Sequence, residues 1–192
     1  MAHNKPQNDN KPPQKSQRIS FKLIFVIIIL GCFVGVFIRT LTYKPDVSLE
    51  ALNKNMPVFS LPSLADNSVY ISNEDIKENA PALLNVWASW CAPCRNEHKF
   101  ISQLSKEHNI KIFGLNYKDK AENGQSFLRK YGNPFFKSMN DADGLTTLNW
   151  GIRGVPETFI INKQGKITYR HTGEIRQKDM ATILKAYNEA LN

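Results

Sequence analysis

This sequence predicts an α/β fold: a central mixed sheet with helices on both faces, preceded by a single N-terminal transmembrane helix. Three observations carry that expectation. A charge-free apolar run, LIFVIIILGCFVGVFI, covers residues 23–38. Beyond it, short apolar strands alternate with segments of helical spacing, the order that buries a parallel sheet between helices. Finally, two cysteines, Cys91 and Cys94, fall where a buried strand gives way to a helix, in NVWASWCAPCRNEH over residues 85–98.

Residues 1–20 are polar and rich in Pro, Asn, Gln and Lys. They hold too few apolar groups to offset ordering entropy and read as a disordered cytoplasmic arm. Residues 21–41 read as a membrane anchor in contact with lipid. With Lys22 and Arg39 snorkelling, about 20 residues match a hydrocarbon core of ~30 Å. Lys5, Lys11, Lys15, Arg18 and Lys22 precede the span. The positive-inside rule then puts the N-terminus in the cytoplasm and the remainder outside. A cleaved signal peptide is the rival reading, but FIRTLTYKP offers no small-residue cleavage site. ILGC over residues 29–32 loosely resembles a lipoprotein cleavage box. The apolar run continues past Cys32, which reads as a small apolar residue of the span.

Residues 42–56 read as a linker and 57–192 as the folded domain, with Pro45, Pro57 and Pro62 preventing long helices in the lead-in. SVYIS (68–72) alternates as a strand, and ALLNVWA (82–88) is a buried one. Residues 93–108 have helical spacing at Phe100, Ile101 and Leu104. IKIFGLN (110–116) is a strand, 122–131 a helix, 135–139 a short strand and 145–150 a helical turn. TFIIN (158–162) and residues 166–171 form a hairpin around Gln164-Gly165, and 177–191 is a closing amphipathic helix.

The formal net charge of +8 is unevenly placed. Residues 1–44 hold seven Lys/Arg against one Asp, and residues 45–192 hold eighteen against sixteen Asp/Glu. The folded part therefore lacks the basic surplus that nucleic-acid binding needs. Three cysteines are too few for a disulfide framework.

A cysteine at the start of a helix faces unpaired N–H groups and partial positive charge, which favour thiolate over thiol. Pro93 suits the first helical turn, where its missing N–H costs nothing. Cys94 lies one turn on, spaced to resolve a mixed disulfide formed by Cys91. Haem attachment needs C-x-x-C-H, and Arg95 follows instead. A structural zinc site needs two further ligands, and no second C-x-x-C exists. A plain buried cysteine pair is the remaining alternative. No metal or cofactor is expected. In GVPETF (154–159), Pro156 precedes an apolar strand, where a cis bond would turn a backbone edge towards the cysteines.

These residues resemble the thioredoxin superfamily over about residues 55–190. The resemblance is closer to the membrane-anchored thiol:disulfide oxidoreductases of cytochrome c maturation, the CcmG/DsbE type. It rests on NVWASWCAPCRNEH, GLNYKD (114–119), GNPF (132–135), GVPETFIIN (154–162) and HTGEI (171–175). It implies a thioredoxin-like fold and a redox-active Cys91 and Cys94, supported by Trp90, Pro93, Glu97, Pro156 and Glu157. Trp90 becomes an exposed apolar platform, Trp87 a core residue, and Tyr117, Lys118 and Asp119 a partner-facing loop. Ordinary thioredoxins carry a buried carboxylate six residues before the first cysteine, whereas this chain has Asn85. By resemblance, Glu97 and Glu157 replace it, and their charge opposes the thiolate, giving a reductant rather than a strong oxidant. His98 and His171 read as structural or surface residues. The implied partners are apocytochrome c or a maturation factor as disulfide substrate, and a DsbD/CcdA-type membrane electron donor. A general extracytoplasmic reductase, an oxidase and a non-catalytic binding module are the alternatives.

Overall fold

A computed structural model describes residues 21–42 and 52–191. The expected arm over 1–20 and residues 43–51 of the expected linker lie outside the described residues. The chain divides into two units at residue 45.

In the first unit, helix α1 (Phe21–Thr42) carries no acidic residue in its first turn and Arg39 in its last. Its 22 residues rise about 33 Å, and residues 21–40 are long and apolar enough to cross a membrane.

The second unit is built around a five-stranded sheet of order β5-β4-β3-β6-β7, from strands β3 (Ala82–Trp87), β4 (Ile112–Tyr117), β5 (Lys137–Asp141), β6 (Glu157–Ile161) and β7 (Ile167–Thr172). Strands β3, β4 and β5 run parallel, whereas β6 is antiparallel to β3, and β7 to β6. Helices α3 (Ala92–Glu107), α4 (Ala121–Tyr131) and α6 (Gln177–Ala190), with the short α5 (Leu145–Asn149), complete the expected pattern.

Strand β3 shows why the sheet sits in the middle. All six of its residues are buried, and alternate side chains face opposite ways. Leu83 and Trp87 join a core with Ile101 and Leu104 of α3, Phe127 of α4 and Ile183 of α6. Ala82, Leu84 and Val86 join a second core with Phe113, Phe159 and Trp150. This two-sided burial replaces the polar–apolar alternation of a half-exposed strand.

Two elements lie where the sequence pattern shows none. Strand β1 (Ser60–Pro62) pairs antiparallel with β2 (Tyr70–Ser72), which is shorter than the segment read from residue 68. Helix α2 (Asn73–Glu78) follows at once, with the Ser72 N–H donating to the Asp75 carboxylate at 2.9 Å. Six and three residues are too few for a period to show. Residues 52–56, assigned above to the linker, pack on the β6–β7 hairpin. The Asn53 N–H donates to the Ile167 carbonyl at 2.8 Å, the Met56 N–H donates to the Gly165 carbonyl at 2.9 Å, and Met56 is buried.

Phe113 is fully buried and meets Phe136 edge to face at 5.7 Å. Phe113→Ala should destabilise the domain by about 3–5 kcal/mol, read as a lower urea midpoint at unchanged slope.

Candidate active site

The site forms at the C-terminal end of β3, where the apolar run stops and the chain turns into α3. Cys91 is the N-cap of α3, in an extended conformation, and Pro93 sits in the first turn. The Cys94 N–H points at the Cys91 sulfur at 3.1 Å. This is an orphan amide of the helix start, free to donate to sulfur because no earlier turn precedes it. Cys91 and Cys94 are joined by a disulfide. They are 4% and 3% exposed, while Ala92 and Pro93 between them are open to solvent.

Trp90 is 57% exposed next to Cys91 in the chain. Trp87 is buried and stacks on Phe135 at 5.5 Å between ring centroids. The Val155–Pro156 bond is cis, the geometry expected once Pro156 is read together with the cysteine motif, and so is Ala80–Pro81.

Glu97 lies one turn beyond Cys94 and is only 1% exposed. Its Oε1 accepts from Asn85 Nδ2 at 2.9 Å and its Oε2 from the Ile175 N–H at 2.8 Å. The Asn85 amide also donates to the Thr158 hydroxyl at 3.0 Å. One carboxyl thus ties α3 to β3 and to the segment that leads into α6. Burial pushes it up from the usual 4.5 to about 7, against the pull of the Ile175 and Asn85 donors. Asn85 fills the place of the missing carboxylate by holding a carboxyl that comes from the helix.

Glu157 does not join it. Odd residues of β6 face the core of Phe159 and Ile161, and even ones face the core of Ile160 and α3. Glu157 therefore lies on the opposite face of the sheet from Glu97. There it pairs with Arg170 of β7, whose Nη2 and Nε reach Glu157 Oε2 at 2.7 and 2.8 Å. Arg170 also donates to the Gly151 carbonyl at 3.1 Å and lies 5.3 Å over the Phe159 ring. Burial holds the Glu157 carboxyl above its usual value, with the Arg170 charge pulling it back. The Glu157–Arg170 pair thus fastens the loop that leads to Pro156.

The loop after β4 also differs from expectation. Lys118 is exposed and Tyr117 half-buried, but Asp119 is buried and accepts the Ser89 N–H at 2.7 Å. No pattern in NYKD distinguishes an inward carboxylate from an outward one. His98 is structural: its Nε2–H donates to the Gly132 carbonyl at 2.9 Å, its ring meets Phe127 edge-on, and burial holds its pKa below the usual value. His171 is half-buried. Among the described residues, no three His, Cys, Asp or Glu side chains gather as a metal site.

Comparison with known proteins agrees with this geometry. Residues 51–186 match the redoxin family. The thiol:disulfide interchange protein DsbE of Yersinia pestis is 34% identical over 184 residues, covering 92% of this chain and 97% of that one. DsbE of Escherichia coli K12 is 35% identical over 166 residues, covering 85% and 89%. A putative DsbE from Chlorobium tepidum superposes with a TM-score of 0.65 at 26% identity, covering 73% of this chain and 98% of that one.

The raised Glu97 value has a stability consequence. Between about pH 4.5 and 7 the folded chain keeps a proton that the unfolded chain has released. The contribution of this group to stability is therefore complete below that window and is lost as pH rises through it, roughly 3 kcal/mol in all. Glu97→Gln should remove that part of the fall, leaving the fall due to Glu157 and the opposing rise due to His98, in urea titrations repeated across pH 4–8 (a range of about four units). A helix-start cysteine pair closed into a disulfide, on a thioredoxin-like sheet matched over most of its length by these relatives, shows that the chain belongs to the redoxin family as a DsbE-type thiol:disulfide oxidoreductase.

Proposed function

We propose that α1 anchors this protein in the bacterial inner membrane as a single span, with the thioredoxin-like domain on the periplasmic side. There it reduces the disulfide of an apocytochrome c, or of a maturation partner, so that haem can be attached. The basic residues before the span support the orientation. Residues 1–20 are then the cytoplasmic arm and 43–51 the tether, with the folded domain beginning near residue 52.

Cys91 acts as nucleophile. Its thiolate attacks one sulfur of the substrate disulfide, that bond breaks, and a mixed disulfide forms. Cys94 gives up its proton and attacks the Cys91 sulfur, releasing the substrate as a dithiol. Two electrons pass to the substrate, and the Cys91–Cys94 disulfide remains. A DsbD/CcdA-type membrane donor restores the dithiol, since the surroundings are oxidising. Trp90 gives the incoming polypeptide an apolar surface, Pro93 keeps the helix start in shape, and Pro156 offers backbone beside the pair. Glu157 supports that edge through Arg170.

The observation that carries the reducing direction is the buried Glu97 carboxyl, one turn beyond Cys94 and half ionised near neutrality. A negative charge beside the dithiol disfavours the thiolate. A less stabilised thiolate makes the reduced form the better electron donor.

Cys94→Ala stalls the reaction at the mixed disulfide on Cys91. In cells, this variant should accumulate adducts with apocytochromes c or their maturation factors, identified after gel separation without reductant. Adducts with unrelated periplasmic proteins would point instead to a general reductase. The wild-type potential should lie well below the roughly −120 mV of strong oxidants, and a value near it would overturn the reducing direction.

A further inference from the structure

The turn that delivers Cys91 is held from outside its own helix. Residues 88–91 leave β3 and must place the sulfur over the first amides of α3. The Cys91 N–H closes the turn on the Ala88 carbonyl at 3.2 Å. The next two contacts come from the loop after β4. The Ser89 N–H donates to Asp119 Oδ2 at 2.7 Å, and the Trp90 Nε1–H donates to the Lys118 carbonyl at 3.0 Å. Trp90 also lies against Tyr117, ring centroids 6.4 Å apart.

That loop is itself braced. Asn116 Nδ2 donates to the same Asp119 oxygen at 3.1 Å. Lys118 has φ +44, a region that L side chains rarely adopt. It is held there by its N–H donating to the Asp141 carbonyl at 3.0 Å. Gly144 leaves the room: a Cβ there would stand 2.5 Å from Lys118 Cε and 2.8 Å from Tyr117 Cε2. Backbone held in a sparse region by its surroundings is a feature of working sites.

Asp119 is buried, and among the described residues it forms no ion pair. A buried carboxyl group held by N–H donors alone is a costly way to satisfy one backbone amide and one side-chain amide. What it secures is the turn carrying the reactive sulfur. We propose that Asp119 is a positioning residue for disulfide exchange: through the Ser89 amide, and together with the Lys118 carbonyl on Trp90, it fixes where Cys91 and the Trp90 platform meet the incoming disulfide. This rests on Cys91 being the attacking sulfur. Reaction rates fall steeply when reacting atoms are displaced by about 1 Å, so a slack turn should be read as a slow exchange in a protein that is still folded.

The test uses the full chain in detergent micelles with the cysteines reduced. It compares wild type with Asp119→Asn, which keeps an oxygen acceptor, and Asp119→Ala, which does not. Three quantities are measured: the second-order rate of reduction of oxidised glutathione, the hydrogen exchange of the Ser89 amide, and the Trp90 indole resonance, assigned with Trp90→Phe. Asp119→Ala should slow reduction about tenfold, shift the indole resonance and speed Ser89 exchange, while Asp119→Asn stays within about threefold of wild type. Wild-type rates in Asp119→Ala would overturn the proposal, and so would an Asp119→Asn chain as slow as Asp119→Ala. Ser89 and indole protons that exchange freely in the wild type would also overturn it, and that result stands even if Asp119→Ala does not fold. A wild-type chain that reduces no disulfide would sink the parent reading, leaving the exchange rates to decide the positioning.

Discussion

A sulfur anion inside a protein needs N–H groups or positive charge facing it, and at Cys91 the N–H groups come from the first turn of α3. Everything that determines where that turn lies therefore bears on the chemistry. The apolar run of β3 ends at Trp87, and α3 begins five residues later at Ala92. Ile101 and Leu104 press the helix onto Leu83 and Trp87. Burial of that stripe, worth about 2 kcal/mol for each large side chain, holds the axis of α3 in place. The axis in turn aims the amide of Cys94 at the neighbouring sulfur.

The carboxyl that shares α3 with the cysteines works against the N–H groups of its first turn. Glu97 sits on the same helix as the cysteines and is buried by the packing that fixes the helix. Burial keeps its carboxyl partly protonated near neutrality, so the site offers a modest negative field rather than a full charge. Asn85 completes the arrangement. It cannot ionise, and its amide holds Glu97 on one side and Thr158 on the other. The hydrogen-bonded row Glu97–Asn85–Thr158 runs from helix to sheet directly beneath the disulfide helix. A buried polar network of this kind favours one arrangement of its members when every group has a partner.

The architecture was legible in the sequence because its signals are long. Strands 82–88 and 110–116 and the helices at 93–108 and 177–191 each carry enough residues for periodicity to show, and their observed bounds differ by one or two residues. The cysteine pair was legible because its chemistry depends on local spacing. What escaped depends on contacts between distant segments. Asp119 reaches the Ser89 amide across thirty positions, and Glu97 reaches Ile175 across seventy-eight. The separation of Glu97 and Glu157 escaped for another reason. The family resemblance gave both the same expected role, whereas alternation along β6 and the guanidinium of Arg170 assign them to different faces.

That alternation has a consequence for how β6 finds its place in the sheet. Along this strand, Glu157 and Thr158 are neighbours facing opposite ways, one answered by a guanidinium and the other by an amide. A slip of one position in either direction would turn Glu157 onto the face of the sheet that already holds Glu97, and would bring Pro156 or Thr158 to Arg170 in its place. Two carboxyls would then lie on one buried face while a cation lay buried without a counterpart, and breaking such a pair costs several kcal/mol. The strand thus carries its own proofreading mark: the wrong alignment is rejected by charge before packing has to judge it.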